Sequence, residues 1–235
     1  MPNISFILVE PSLPENVGFA ARAIKTTGFS DLRIVNSLAY TKDGAIWTAY
    51  GAKDILDNVK TFCSLSQALY DCDFAIATTA RFRNKRKDYL TPKEIVELIK
   101  RKVNTIKNIA LVFGCEESGL SNKDMNLCDV VSNIPLNTKF PSLNLSQAVM
   151  VYAYELSFLL KKNKNIKRKE SNYISQHALL KEKIKKLLIE LDYSLQNPIY
   201  QRILDRLSLL EEIDIKLAHS VVNKVLDKIK IKKEK

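Results

Sequence analysis

ALVFGCEESGL at residues 110–120 and VVSNIPLNTKFPSLNLSQAVMVYAYELSFLL at residues 130–160 decide the fold. Their apolar openings, 110–113 and 130–136, read as buried strands because they are brief and rich in Val, Ile and Leu. Each runs into a polar loop bearing Gly or Asn, and the second loop feeds a long amphipathic helix starting near Asn144. Ligands of an open α/β sheet sit at the carboxyl ends of its strands. Two such loops so close in sequence predict one binding site.

Outward from this stretch, strand and helix alternate. Residues 5–9 read as a strand and 16–27 as a helix, with Asn16 as its N-cap and Gly28 as the left-handed residue that ends it. Residues 32–35 form the next strand, 43–50 a short helix stopped at Gly51, 59–63 a weak strand and 66–70 a short helix. A strand at 74–79 precedes a basic loop, a helix at 92–103 opens with proline in its first turn, and 109–113 is a strand. Ser121 with Asp124, and Asn144 with Gln147, fit capping boxes. Leu145, Ala148, Val149, Tyr152, Ala153 and Leu156 form the apolar stripe of the long helix. Such alternation with short connections predicts an α/β fold, a parallel sheet with helices on both faces. Residues 161–172, KKNKNIKRKESN, lack apolar periodicity and read as a linker. Helical patterns follow at 176–191, 199–210 and 213–231. The expected division is an α/β domain at 1–163 and a small, basic, all-helical extension at 164–235.

Charge is unevenly spread. The net +11 divides into 18 Lys/Arg against 16 Asp/Glu in residues 1–160, and 19 against 10 in residues 161–235. Basic clusters at 81–87 and 161–169 favour a polyanionic partner, although a solvated surface accounts for charge alone. Cys63, Cys72, Cys115 and Cys128 form no CxxC pair, and only His177 and His219 accompany them. That pattern predicts reduced thiols and no metal site. The amino-terminal residues lack a signal-peptide pattern and no run approaches the ~20 apolar residues of a membrane span, so the expected location is cytoplasmic.

Familiar catalytic signatures are missing. There is no GxGxxG, no GxxxxGK[ST] and no GxSxG, and no histidine precedes His177. Glu116 and Glu117 are adjacent, a poor arrangement for opposed acid and base. Four segments remain. Asn16, Gly18 and Arg22 are spaced NxGxxxR. Helical side chains lean toward the N-terminus, so Arg22 is expected over the bare Gly18 turn, near the end of the first strand. An exposed arginine on an amphipathic helix is the plain alternative. In FGCEESGL, Gly114 permits close approach of a ligand and Gly119 a tight turn; an ordinary polar loop is the alternative. In PSLNLSQA, Ser142 and Asn144 stand at a helix start whose free N–H groups bind polar ligand atoms, or are simply capped. The fourth, TTARFRN at 78–84, is a strand end entering the basic loop.

Together NxGxxxR, FGxExxGL and IPL followed by SLNLSxA resemble the three motifs of the SpoU branch of the SPOUT RNA methyltransferases, over residues 4–160. TTAR and the helical extension are similar to the TrmJ-like tRNA 2′-O-methyltransferases. The resemblance implies a SPOUT-type sheet closed by a C-terminal trefoil knot, a homodimer, S-adenosylmethionine as cofactor and tRNA as partner. The target implied is nucleotide 32 of the anticodon loop. It implies cofactor contacts from Thr78, Thr79, Ala80, Gly114, Ile134, Pro141, Ser142 and Leu143. Arg22 would position the ribose or its phosphate, Asn16 orient the arginine or a loop, Glu116 hold either, and Asn144 touch cofactor or ribose. Arg81, Arg83, Lys85, Arg86 and Lys87 would contact RNA phosphates, with Phe82 either stacking on a base or serving as a buried anchor. An rRNA 2′-O-methyltransferase and a non-catalytic RNA-binding protein on the same fold stay open as alternatives.

Overall fold

The structure, a computed structural model, describes residues 2–80, 89–138, 142–160, 176–207, 209–210 and 212–233. Seven parallel strands stand in the order β3-β2-β1-β6-β4-β7-β5. They are β1 (Asn3–Val9), β2 (Asp31–Val35), β3 (Lys60–Phe62), β4 (Phe74–Thr78), β5 (Tyr89–Leu90), β6 (Asn108–Phe113) and β7 (Val130–Ser132). The central strands β1, β4 and β6 are buried almost throughout, which explains their unbroken apolar runs.

One face of the sheet, carrying Phe6, Leu8, Ile76 and Leu111, packs under α1 (Pro14–Thr26), α2 (Asp43–Thr48), α3 (Lys53–Asp57), α5 (Pro92–Lys102) and α7 (Leu145–Ser157). The other, carrying Ile7, Ala75, Ala110 and Val112, packs under α4 (Leu65–Ala68) and α6 (Asn122–Asn126). Helices therefore cover both faces, as the alternation predicts. Gly28 and Gly51 adopt left-handed φ of 91° and 74° where the first helix and the turn after α2 end. The capping box of Asn144 and Gln147 is formed, and a further one at Thr91 and Glu94 opens α5.

Two expectations about the elements need correction. Asn16 is not the cap of α1: the helix starts at Pro14, whose ring presets the first helical turn, and Leu13 precedes it with no side-chain cap. The strand expected over 130–136 stops at Ser132, and residues 133–138 are irregular because Ile134 and Leu136 turn toward a cavity instead of a neighbouring strand. The two-residue strand β5 and the helix α3 carry too little periodicity to be read from sequence.

The C-terminal residues form α8 (Gln176–Glu190), α9 (Pro198–Leu207) and α10 (Glu212–Lys233), joined by a core of Leu180, Leu188, Tyr200, Leu204, Leu207, Ile215 and Val222. Polar contacts fasten them to the sheet domain. Lys181 pairs with the buried carboxylate of Asp129, and Lys102 Nζ donates to Leu210 O at 2.6 Å. His177 lies edge-on to Phe74, with ring centroids 5.7 Å apart. Among the described residues no helix is long and apolar enough to cross a membrane, and no group of three or more His, Cys, Asp or Glu is placed to hold a metal.

Candidate active site

Register places four strand ends at one edge of the sheet. Leu8 pairs with Phe113, Ala77 with Val112, and Thr78 with Ser132. The loops leaving β4, β6 and β7 surround a cavity with an open mouth. Thr78, Thr79 and Ala80 line it from the end of β4; Phe113, Gly114, Cys115, Glu116, Glu117, Ser118 and Gly119 from the end of β6; Ile134 and Leu136 after β7. Ser142, Leu143, Leu145, Ala148 and Tyr152 complete it from the start of α7. No lysine or arginine stands among these residues, and two glutamates do.

The loop after β6 is a closed hairpin. Gly119 adopts φ 69° and its N–H donates to Cys115 O at 3.0 Å. A Cβ at Gly114 would lie 2.1 Å from both Gly119 C and Leu120 N. The place of a side chain at Gly114 is therefore filled by the chain's own backbone, while Gly114 itself lines the cavity, where ligand approach is expected of it. Ser118 Oγ, 3.0 Å from Cys115 Sγ, holds the Cys115 thiol below its ordinary range. Thr78 Oγ1 donates to Val112 O at 2.9 Å, tying β4 to β6 at the cavity floor. Tyr152 packs edge-on against Phe113 at 5.7 Å, and burial raises its phenol well above the usual range.

Beside the cavity, Glu116 gathers the first turn of α1. Its carboxylate accepts from Ser12 N–H at 3.0 Å, Ser12 Oγ at 2.8 Å, Leu13 N–H at 3.2 Å and Asn16 Nδ2 at 2.9 Å. Asn144 Nδ2 donates to Asn16 Oδ1 at 2.7 Å, while Asn144 Oδ1 accepts from Ser146 N–H at 2.9 Å to cap α7. Burial opposes ionisation of Glu116, but the bonds from Asn16 and Ser12 outweigh it and leave the carboxyl below its usual range. A carboxylate near the amino end of α1 is also favoured by the helix dipole. Asn16, Glu116 and Asn144 thus form one relay whose bonds join residues 100 and 128 positions apart in sequence.

Arg22 is placed differently. It is exposed on α1, makes no hydrogen bond or ion pair among the described residues, and is not one of the residues lining the cavity. It cannot lie over Gly18 as expected, because α2 occupies that side: a Cβ there would meet Thr48 Oγ1 at 2.0 Å and Ala45 O at 2.2 Å. Pro141 and the basic residues Arg81, Arg83, Lys85, Arg86 and Lys87, with Phe82, lie outside the described residues. Every other residue expected at the cofactor lines the cavity. Sequence reasoning missed Phe113, Leu136, Leu145, Ala148 and Tyr152 as lining residues, and Ser12 as a partner of Glu116. For Leu145, Ala148 and Tyr152 the signal was present: their stripe was read as core alone.

Residues 3–154 match the SpoU rRNA methylase family. The chain belongs to that family. Residues 175–229 of this SpoU methylase also match the C-terminal domain of the tRNA/rRNA methyltransferase LasT. It is 45% identical over 210 residues to an uncharacterized tRNA/rRNA methyltransferase LasT of Escherichia coli, covering 88% of this chain and 90% of that one. To the tRNA (cytidine-2′-O-)-methyltransferase TrmJ of Methanocaldococcus jannaschii it is 37% identical over 185 residues, covering 76% of this chain and 79% of that one. The crystal structure of TrmJ from Z. mobilis ZM4 superposes with a TM-score of 0.66 at 28% identity, over 96% of this chain and 99% of that one. The SpoU methylase is an RNA 2′-O-ribose methyltransferase.

Proposed function

We propose that this protein transfers a methyl group from S-adenosylmethionine to a ribose 2′-hydroxyl of tRNA, at nucleotide 32 of the anticodon loop. The observation that carries the reading is the cavity in this SpoU-family chain. Its described lining combines backbone and small side chains with the apolar walls Phe113, Ile134, Leu136 and Leu143, and its only charged members are Glu116 and Glu117. That charge balance suits a ligand bearing net positive charge and repels a nucleoside polyphosphate.

The cofactor supplies an electrophilic methyl on a positively charged sulfur, so the protein's task is alignment. Thr78, Thr79, Ala80 and the Gly114 loop hold one side of the donor, and Ile134, Ser142 and Leu143 the other. The relay of Glu116, Asn16 and Asn144 fixes α1 and α7 beside the mouth. Arg22 positions the ribose or its phosphate. Since Arg22 does not line its own cavity, we read the enzyme as a homodimer in which it reaches the site of a second copy. Exposed Phe19 on α1, Met150 and Tyr154 on α7 and Phe158 just after it, the two helices being packed together, supply the apolar face such a copy covers. We read α7 as the segment that closes a trefoil knot, residues 1–163 as the catalytic domain and residues 164–235 as its RNA-binding extension, in a cytoplasmic enzyme.

The test is methyl transfer from labelled S-adenosylmethionine to purified tRNA and rRNA. Label should enter tRNA and disappear when nucleotide 32 carries a 2′-deoxyribose. Label entering rRNA alone would make the protein an rRNA methyltransferase. RNA binding with no affinity for the cofactor would make it a binding protein.

A further inference from the structure

The described residues on either side of 81–88 are held by one pair of neighbouring side chains. Residue 79 leaves β4 with its N–H donating to Ser132 O at 3.0 Å, and its own carbonyl accepts from Asn133 Nδ2 at 3.1 Å. Where the chain returns, Leu90 O accepts twice, from Asn133 N–H at 3.0 Å and from Ser132 Oγ at 2.7 Å. Ordinary strand pairing of β7 with β4 and β5 accounts for the backbone bonds. It does not require the two side-chain bonds, and both side chains are buried, Ser132 fully. A buried amide or hydroxyl is stable only when its hydrogen bonds are made. Asn133 and Ser132 therefore fix where the chain leaves β4 and where it re-enters β5.

The same pair is joined to the cavity. Tyr152 OH donates to Ser132 Oγ at 2.8 Å, so a single file of donors runs from Tyr152 through Ser132 to Leu90 O. Tyr152 is 1% exposed and lines the cavity.

We propose that Ser132, Asn133 and Tyr152 are positioning residues for the RNA substrate: they set the spacing of the strand ends on either side of the basic segment and tie that spacing to the cavity wall. This rests on the reading above that the basic segment grips RNA. Its consequence is coupling. A ligand that fills the cavity fixes Tyr152, and through Ser132 and Asn133 it fixes both strand ends, so cavity ligand and RNA strengthen one another's binding by the same factor.

The experiment measures tRNA affinity of the full chain with and without saturating S-adenosylhomocysteine, the demethylated product of the donor, at one salt concentration. Wild type should bind tRNA on the order of fivefold tighter with the product bound, the lower end of measured couplings. Asn133→Ala should bring the factor toward one and weaken tRNA by about fivefold, the equivalent of one net hydrogen bond. Tyr152→Phe, which deletes one oxygen and keeps the ring, is the milder variant; it should lose the coupling while still binding tRNA. A wild-type factor of one, or both variants keeping the wild-type factor, overturns the inference. Neutralising Lys85, Arg86 and Lys87 separates the two readings. If that change leaves tRNA binding intact, the basic-segment reading fails and takes this inference with it. If it weakens tRNA while Asn133→Ala does not, this inference alone fails.

Discussion

Replacing Glu116 with alanine tests whether the relay beside the cavity is structural, catalytic or both. The substitution removes the acceptor of Ser12 N–H, Ser12 Oγ, Leu13 N–H and Asn16 Nδ2 at once. Ser12 and Leu13 are exposed, so water replaces most of what they lose, whereas Asn16 is 4% exposed and its amide is stranded. Counting about 0.5 kcal/mol for each exposed donor and 1–2 kcal/mol for the buried amide gives a loss of about 2–4 kcal/mol. For a chain of this size that lowers Tm by roughly 5–10 °C. The pH dependence identifies the cause. A carboxyl whose folded pKa is depressed contributes stability above its unfolded value, near 4.5, and loses it as pH falls through the lower folded value. The gap in Tm between wild type and Glu116→Ala should therefore be full at pH 7 and shrink below about pH 4. Calorimetry at pH 7 and pH 3.5 measures it, and titration with S-adenosylmethionine should show weaker binding, because Glu116 belongs to the loop lining the cavity. Equal Tm values at pH 7, or a gap of the same size at both pH values, would refute the argument.

Gly114→Ala forces a Cβ to 2.1 Å from Gly119 C and Leu120 N, so the hairpin must open by more than an ångström; cofactor affinity should fall by at least tenfold at a stability cost of about 1–3 kcal/mol, read by calorimetric titration and denaturant melts. Arg22→Ala should abolish methyl transfer while leaving cofactor affinity nearly intact, since Arg22 is exposed and off the cavity; calorimetry showing lost cofactor affinity would assign it a different role. Burial, with Lys102 adding to it, lowers the pKa of His177 from 6.5 to about 4. Neutral His177 thus supports stability in full above pH 6.5, and that support is lost as pH falls toward 4. His177→Leu should flatten the stability decline over that window in melts followed by circular dichroism, and an unchanged decline would place the acid sensitivity elsewhere.

Much of the sheet was legible because β1, β4 and β6 are buried on both faces and so must be apolar without interruption. The ends of elements were less legible where tertiary contacts decide them. Asn16 has the chemistry of an N-cap, yet it sits within the first turn of α1, where Glu116, far along the chain, takes its amide. Gly114 and Gly18 were noticed, but what occupies the place of their missing side chains is other parts of the chain, the Gly119–Leu120 backbone at one and the Thr48 hydroxyl with the Ala45 carbonyl at the other, which no local pattern encodes. Leu136 reads as strand because it is apolar; in the fold it faces the cavity. The loops around the cavity were legible as polar punctuation between strands. Its wall was not, since Leu145, Ala148 and Tyr152 have the spacing of a helix packed on a core.

Strand order explains why residues so far apart can make one site. The chain lays β1, β2 and β3 outward in sequence, then crosses to the other side and returns to insert β6 between β1 and β4. Because Leu8 pairs with Phe113, the two strands end level, and the residue three beyond Phe113 meets the residues four and five beyond Leu8. Inserting β7 between β4 and β5 then brings Ser132 level with Thr78 and Leu90. Each insertion adds a loop beside loops already present, which is how Thr78, Gly114 and Ile134 come to face one space. A fragment ending before β6 would keep the first βαβ unit and Arg22 but neither Glu116 nor the gap between β1 and β4 in which the cavity is built. The relay cannot precede the sheet order that produces it, so the first turn of α1 should acquire its native hydrogen-exchange protection only when β6 is in place.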